Sequence, residues 1–315
     1  MQTGKRGVSR GLALIVLLAV AACANRLGGQ DHPLPSEPAI TAIDRAWPDV
    51  NLNVVVLDKS GAPQKIDEQA FQLFEDHAER PLRFPASVDS PVSLALLIDL
   101  SGSIYQRKPD ILSAVTAIVH ALPADSEVTA VDFSSVAFLD LPFTPVSKAD
   151  FSFLDRLGPG GPTAFYDAVV STEDYMVGNA KYPRRALVIL SDGEDNASHN
   201  SERGASRRDE LPGAPMIYAC RVRDPRKTLD QFNESVVGHE NLWFLAKRGG
   251  GKVFELEPDP AAAAAQIVAA IRSQYVLQFT AADPAHDGKE HKLEVRLPVK
   301  DVQIHGLPAY YAPAR

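Results

Sequence analysis

Along the chain the apolar and polar positions change rhythm, and each rhythm predicts a different kind of structure. From Asn51 to Leu57 the run Asn-Leu-Asn-Val-Val-Val-Leu is β-branched and apolar, and the turn residues Asp58-Lys59-Ser60-Gly61 follow it. A strand and a tight turn are expected there. Phe71-Gln72-Leu73-Phe74-Glu75 reads as a second short strand, and Leu82-Arg83-Phe84 alternates again, the period of half-buried strands. The same alternation returns far downstream in Tyr275-Val276-Leu277-Gln278-Phe279 and Leu293-Glu294-Val295-Arg296-Leu297, with Asp287-Gly288 as a turn between them. Short strands at both ends predict one small β domain assembled from residues 49–89 and 273–315.

Residues 90–272 have a different character. Leu94-Ala95-Leu96-Leu97-Ile98 is apolar without interruption, as a strand buried on both faces of a parallel sheet must be. Ile111, Val115, Ile118, Val119 and Leu122 then form one stripe of an amphipathic helix. Val128 to Phe133, Ala186 to Leu190, Met216 to Ala219 and Val253 to Leu256 read as further strands, and Ala164 to Val177 as a helix. Ala261 to Ala265 is good helix former. Gly249-Gly250-Gly251 resembles a helix stop and strand lead-in, not a nucleotide loop, because no strand precedes it. Alternating strands and helices predict a doubly wound, mostly parallel α/β sheet flanked by helices, Rossmann-like in plan. Ligands of such sheets sit beyond the carboxyl ends of the strands.

The first residues are not expected to belong to the fold. Lys5, Arg6 and Arg10 precede the uncharged run Gly11 to Ala22, too short for a bilayer span and suited to a signal peptide over residues 1–22. Leu18-Ala19-Val20-Ala21-Ala22-Cys23 resembles a bacterial lipobox, in which Cys23 carries lipid and becomes the mature N-terminus; ordinary signal cleavage with Cys23 incidental is the alternative. Residues 24–48 hold Pro33, Pro35, Pro38 and Pro48 and few aliphatic side chains, so residues 23–48 read as anchor and extended tether. Export to the bacterial cell envelope follows, lipid-anchored and periplasmic or outer-membrane-associated, with membrane contact through the anchor only.

Composition narrows the function. The 315 residues are 45% hydrophobic and 23% charged, ordinary globular values that exclude a largely disordered or coiled-coil chain. With 32 basic against 40 acidic residues the chain carries −8 and has no basic stripe interleaved with aromatics, which argues against nucleic-acid binding. Only two Cys are present, so Cys220 has no partner within the fold and reads as a buried small hydrophobe. The eight His lack ligand spacing, which argues against zinc.

The candidate chemistry lies at predicted strand ends. Asp99-Leu100-Ser101-Gly102-Ser103 follows the first buried strand, Thr163 stands in Gly160-Gly161-Pro162-Thr163-Ala164 before a helix, and Asp192 follows a third strand in Ser191-Asp192-Gly193. Alone, Asp-x-Ser-x-Ser reads equally as a helix N-cap. The three segments together offer oxygen donors only, which hard divalent cations prefer.

On these residues the sequence resembles the von Willebrand factor type A family, and the five positions look like its metal-ion-dependent adhesion site. The resemblance implies that Ser101, Ser103 and Thr163 supply direct or near-direct oxygens and that Asp99 and Asp192 bind directly or through water. It also implies a divalent cation, Mg²⁺ in the first place with Mn²⁺ or Ca²⁺ as substitutes, holding a position open for an Asp or Glu of a partner protein. Pro162 is the departure, since related chains often read Gly-Gly-Thr. Outside the motif, Val54 to Pro63, Phe71 to Asp76, and Ser273 to Leu277 through His291 to Val295 and Tyr310 to Pro313 resemble bacterial VWFA-related proteins known mainly from acidobacteria.

A binding function is therefore expected, not catalysis. The rival is a Mg²⁺-dependent phosphatase of the haloacid-dehalogenase type, but Ser101 stands where the acid/base carboxylate of Asp-x-Asp would be. No Gly-x-Ser-x-Gly elbow, His-Glu-x-x-His pair or phosphate loop is present. A scaffold with a purely structural metal is the third reading. Asp192 to Asn196 fails as a calcium loop, with Ala197 at position six and Arg203 at position twelve, and reads as a solvated loop. Arg203, Arg207, Arg208, Asp209 and Glu210 also read as a solvated, mixed-charge loop.

Overall fold

The computed structural model describes residues 47–209, 211–228, 236–283 and 287–313. The expected signal peptide, Cys23 and the tether up to residue 46 lie outside the described residues. In chain order the elements are β1 (Asp49–Asp58), β2 (Gln72–Glu75), β3 (Ala78–Arg80), β4 (Ser93–Asp99), α1 (Lys108–His120), β5 (Glu127–Phe133), β6 (Ala137–Pro145) and α2 (Phe153–Arg156). Then come α3 (Phe165–Asn179), β7 (Arg185–Ser191), α4 (Glu202–Asp209), β8 (Met216–Arg221), α5 (Val236–Arg248), β9 (Lys252–Glu255) and α6 (Pro260–Arg272). The chain ends in β10 (Tyr275–Thr280), β11 (Glu290–Arg296), β12 (Val302–Gly306) and β13 (Ala309–Tyr311).

The central sheet runs β6-β5-β4-β7-β8-β9, parallel throughout except for β6. This is the doubly wound α/β architecture. All seven residues of β4 are buried, and their alternation explains the unbroken apolar run: Leu94, Leu96 and Ile98 pack with Ile111, Val115 and Ile118 of α1 and Ile267 and Ile271 of α6. Ala95 and Leu97 point the other way, onto Phe165 and Val169 of α3 and Leu242 and Leu245 of α5. Cys220 lies in the first of these layers, fully buried and free, and burial pushes its thiol pKa up.

Strands from the two ends of the chain pair with each other. β1 lies between β10 and β12, antiparallel to both, and β11 lies between β2 and β13. Their shared core holds Val50, Leu52, Val54, Val56, Leu73, Leu277 and Phe279. β1 serves two cores, because Val55 and Leu57 on its other face belong to the layer built by α1 and α6. Glu75 is fully buried, yet Arg80 Nε donates to it at 2.7 Å, the Ala282 N–H at 2.9 Å and the Tyr310 hydroxyl on its other oxygen.

Two segments differ from the sequence reading. Leu82-Arg83-Phe84 forms no strand; only Arg83 bridges Gln278, by backbone hydrogen bonds of 2.8 Å in each direction. The Arg203–Asp209 segment is helical, not a loop: the Ala205 N–H closes a turn on the Ser201 carbonyl at 3.0 Å, and the Ala205 side chain is buried. The edge strand β6 carries Pro142 and Pro145, which mask a strand in sequence and are tolerated at an edge.

Candidate metal centre

The sheet reverses its winding between β4 and β7: from β4 the chain proceeds to β5 on one side, and from β7 to β8 on the other. A crevice opens beyond the carboxyl ends of two strands that diverge in this way. Asp99 is the last residue of β4, Ser191 the last of β7, and Thr163 lies two residues before α3. Four of the five expected ligands are almost wholly buried, Asp99 at 0%, Ser101 at 1%, Thr163 at 3% and Asp192 at 5% exposure. Ser103 is half-buried.

Hydrogen bonds hold the first and third loops together. Asp99 Oδ1 accepts from the Ser101 N–H at 2.8 Å, and Asp99 Oδ2 from the Ser191 hydroxyl at 2.6 Å. The Ser101 and Ser103 hydroxyls lie 2.9 Å apart. Ser191 Oγ also accepts the Gly193 N–H at 2.9 Å, and Asp192 Oδ1 accepts the Glu194 N–H at 3.1 Å. Gly193 has φ +77°, and a Cβ there would stand 2.2 Å from the Gly238 carbonyl oxygen, so a side chain would push α5 away from the loop.

The second loop is tied to both neighbours. The Gly160 N–H donates to the Leu100 carbonyl at 2.8 Å and the Ala164 N–H to the Ser134 carbonyl at 2.7 Å. Asn196 grips Thr163 from both sides: its Oδ1 accepts the Thr163 N–H at 2.8 Å, and its N–H donates to the Thr163 carbonyl at 2.9 Å. The 192–196 segment is therefore not an idle solvated loop. Asp195 Oδ1 accepts the Phe165 N–H at 2.8 Å and caps α3, whose own N-cap residue Ala164 offers no side-chain bond. Ser191, Asp195 and Asn196 are the contributors that reading along the chain missed. Each works on a partner at least 30 residues away, so no local spacing marks it.

The electrostatics fit a cation. Burial, then the neighbouring Asp192 carboxylate, pushes the Asp99 pKa up to about 7 against the bonds from Ser191 and Ser101. Burial likewise raises Asp192. Asp192 Oδ2 is buried without a hydrogen bond of good geometry, although the Ser103 hydroxyl faces the same carboxylate and lowers its pKa against the burial, and an acceptor left so poorly satisfied is costly in a folded protein. Two buried carboxylates that repel each other, with one oxygen poorly satisfied and hydroxyls around them, make a donor set suited to a hard divalent ion. Among the described residues no group of three or more His, Cys, Asp or Glu could hold a metal. Beyond Asp192, Lys227 pairs with Glu194, and Arg226 pairs with Asp224 at 2.9 Å.

No protein-family model matches the chain, and no curated protein matches it. Among solved structures it is similar to an aerotolerance-related membrane protein from Bacteroides fragilis, at 18% identity over 57% of this chain and 98% of that one, with a TM-score of 0.46. It is also similar to a von Willebrand factor type A protein from Catenulispora acidiphila, at 12% identity over 84% and 73% of the two chains and a TM-score of 0.44. A third is the manganese-loaded TRAP protein of Plasmodium vivax, at 14% identity over 75% and 96% and a TM-score of 0.42. At such identities the architecture of the central unit stands on its own strand order and polarity.

Proposed function

We propose that this protein is a metal-dependent protein-binding module of the bacterial cell envelope and not an enzyme. Asp99, Ser101, Ser103, Thr163 and Asp192 would hold a divalent cation, Mg²⁺ before Mn²⁺ or Ca²⁺. The cation would supply an electrophilic centre for an Asp or Glu of the partner, all the stronger because most of its protein donors are neutral hydroxyls. The observation that carries this reading is the poorly satisfied, buried Oδ2 of Asp192 beside the buried Asp99. The chain's own residues shape the face: Ser191 fixes the Asp99 carboxylate, Asn196 fixes Thr163, and Gly193 lets α5 close over the loop.

The rim supports a protein partner. Val136, on the turn joining β5 to β6 beside the Ser134 contact, is 42% exposed, and Val237, beside the α5 residue Gly238 that abuts the Asp192 carbonyl, is 65% exposed. Exposed aliphatic groups flanking a polar centre suit a protein surface. The chain's net charge of −8 opposes an acidic partner only weakly, because physiological salt screens exposed charges beyond about 8 Å. Lipid on Cys23 and a spacer over residues 23–48 would hold this face away from the membrane.

The test is capture from envelope extract by the intact protein, with Asp99→Ala as control and titration calorimetry of Mg²⁺ in parallel. Capture abolished by chelator and by the substitution supports the reading. Phosphate release from simple phosphate esters would favour the phosphatase, and Mg²⁺ binding without any capture would favour the scaffold.

A further inference from the structure

We propose that the seam between the two β systems holds a second binding site, for a free aliphatic monocarboxylate, with Lys252 receiving the carboxylate. The site lies outside the metal centre, at the amino end of β9, where the edge of the central sheet meets β12. A cavity of about 330 Å³ opens there between Val55 and Leu57 of β1, Met216 of β8, Phe254 of β9 and Ala269 of α6, a size within the range of small-ligand pockets. A second recess of about 560 Å³ continues past Lys252 and His305 toward Trp243.

The cavity follows from small residues at the seam. Gly250 has φ +74°, and a Cβ there would lie 2.8 Å from the Gly306 backbone of β12. The glycine run thus brings the turn between α5 and β9 against β12, and with Ala269 opposite, no large side chain fills the space between. The cavity is open to solvent, so its apolar walls are wetted, and an apolar ligand that covers them gains the free energy of removing that surface from water.

Lys252 supplies the polarity. Its ammonium stands 5.5 Å from the Phe254 ring centroid and forms no ion pair among the described residues. Asp58, which opens the turn whose residues 60–63 line the cavity, is already engaged: Oδ1 accepts the Ser60 N–H and hydroxyl and the Ala62 N–H at 2.6–3.0 Å, and Oδ2 accepts Gln64 Nε2 at 3.1 Å. Among the described residues His305 is tied only through Nδ1, 3.4 Å from the Gly251 carbonyl oxygen, which leaves Nε2 for a second contact with the head group. One ammonium and one imidazole suit a carboxylate, whereas a phosphate demands more donors.

The experiment titrates the intact protein with decanoate and with decanol by calorimetry. Decanoate is expected to saturate at one per chain. Lys252→Gln should weaken decanoate by about fivefold, the worth of one exposed ion pair, and leave decanol unchanged. Ala269→Leu, at an exposed helix position facing the cavity, should abolish binding of both; Gln266→Trp at the mouth serves if that variant melts early. Asp99→Ala should bind decanoate normally, which separates this site from the metal reading. Absence of saturable decanoate binding to the wild type, an unchanged affinity in Lys252→Gln, or tighter binding by a short apolar peptide with a free carboxyl terminus would overturn the proposal.

Discussion

Above about pH 7, where Asp99 gives up its proton, Asp99 and Asp192 form a buried pair of like charges, and a fold tolerates that arrangement only if something else answers the repulsion. Without a cation, Asp99→Asn removes one charge yet keeps the geometry, because the amide can still accept from the Ser101 N–H and lie against Ser191. The variant is therefore expected to be more stable than the wild type in chelator, by about 1 kcal/mol, or roughly 2–4 °C in Tm for a chain of this size. Saturating Mg²⁺ should reverse the order: wild type gains about 2.7 kcal/mol at a hundredfold excess over Kd, and the variant gains nothing. Thermal melts with and without Mg²⁺ measure both halves. Asn196 tests the supporting side chains. Asn196→Ala leaves the Thr163 N–H without its side-chain acceptor, which should cost about 1–2 kcal/mol of stability and about tenfold in Mn²⁺ affinity by calorimetry. Unchanged Mn²⁺ affinity would mean that Thr163 needs no such support.

The helix α3 depends on a cap delivered from another loop, so its amino end and the proposed metal centre are mechanically one piece. Asp195→Ala should destabilise the protein by about 1 kcal/mol in urea unfolding and lower cation affinity as well, because the 192–196 loop loses its hold on Phe165. Loss of stability with affinity intact would show cap and centre to be independent. These contacts also explain what was legible in the sequence. β4, β7 and β8 are buried on both faces and must be unbroken apolar runs, so they stood out, and the hydroxyls and carboxylates at their ends stood out with them. β6 hid behind Pro142 and Pro145, β12 mixes Gln303, His305 and Gly306 with only two aliphatic side chains, and β13 at three residues is too short to show a period. Ser191, Asp195 and Asn196 were illegible for a different reason: their partners lie 92, 30 and 33 residues away, a distance no local pattern encodes.

For the molecule as a whole, the question is whether the sheet with the proposed metal centre can stand without the strands that flank it. Arg184 suggests that it can, because one fully buried side chain spans the boundaries of the central unit on both sides. Its guanidinium donates to the Ser90 carbonyl, just before β4, and at 2.8 Å to the Ile271 carbonyl, near the end of α6. The chain thus enters and leaves the central unit within reach of one residue, a geometry that tolerates excision. The β strands have no such independence. Both neighbours of β1, β10 and β12, lie beyond residue 272, so a chain ending there would leave Val50, Leu52, Val54 and Val56 without their sheet and core. Residues 90–272 alone should therefore fold, with a sharp thermal transition and Mg²⁺ binding within about a factor of ten of the full chain. Its Tm should be lower, since Val55 and Leu57 of β1 no longer cover the layer of α1 and α6. Residues 49–272 should expose β1 and aggregate on heating although that chain is longer. Circular dichroism melts and light scattering on the two fragments decide the matter: a stable 49–272 with an unfolded 90–272 would place the boundary of the metal-binding unit before β1.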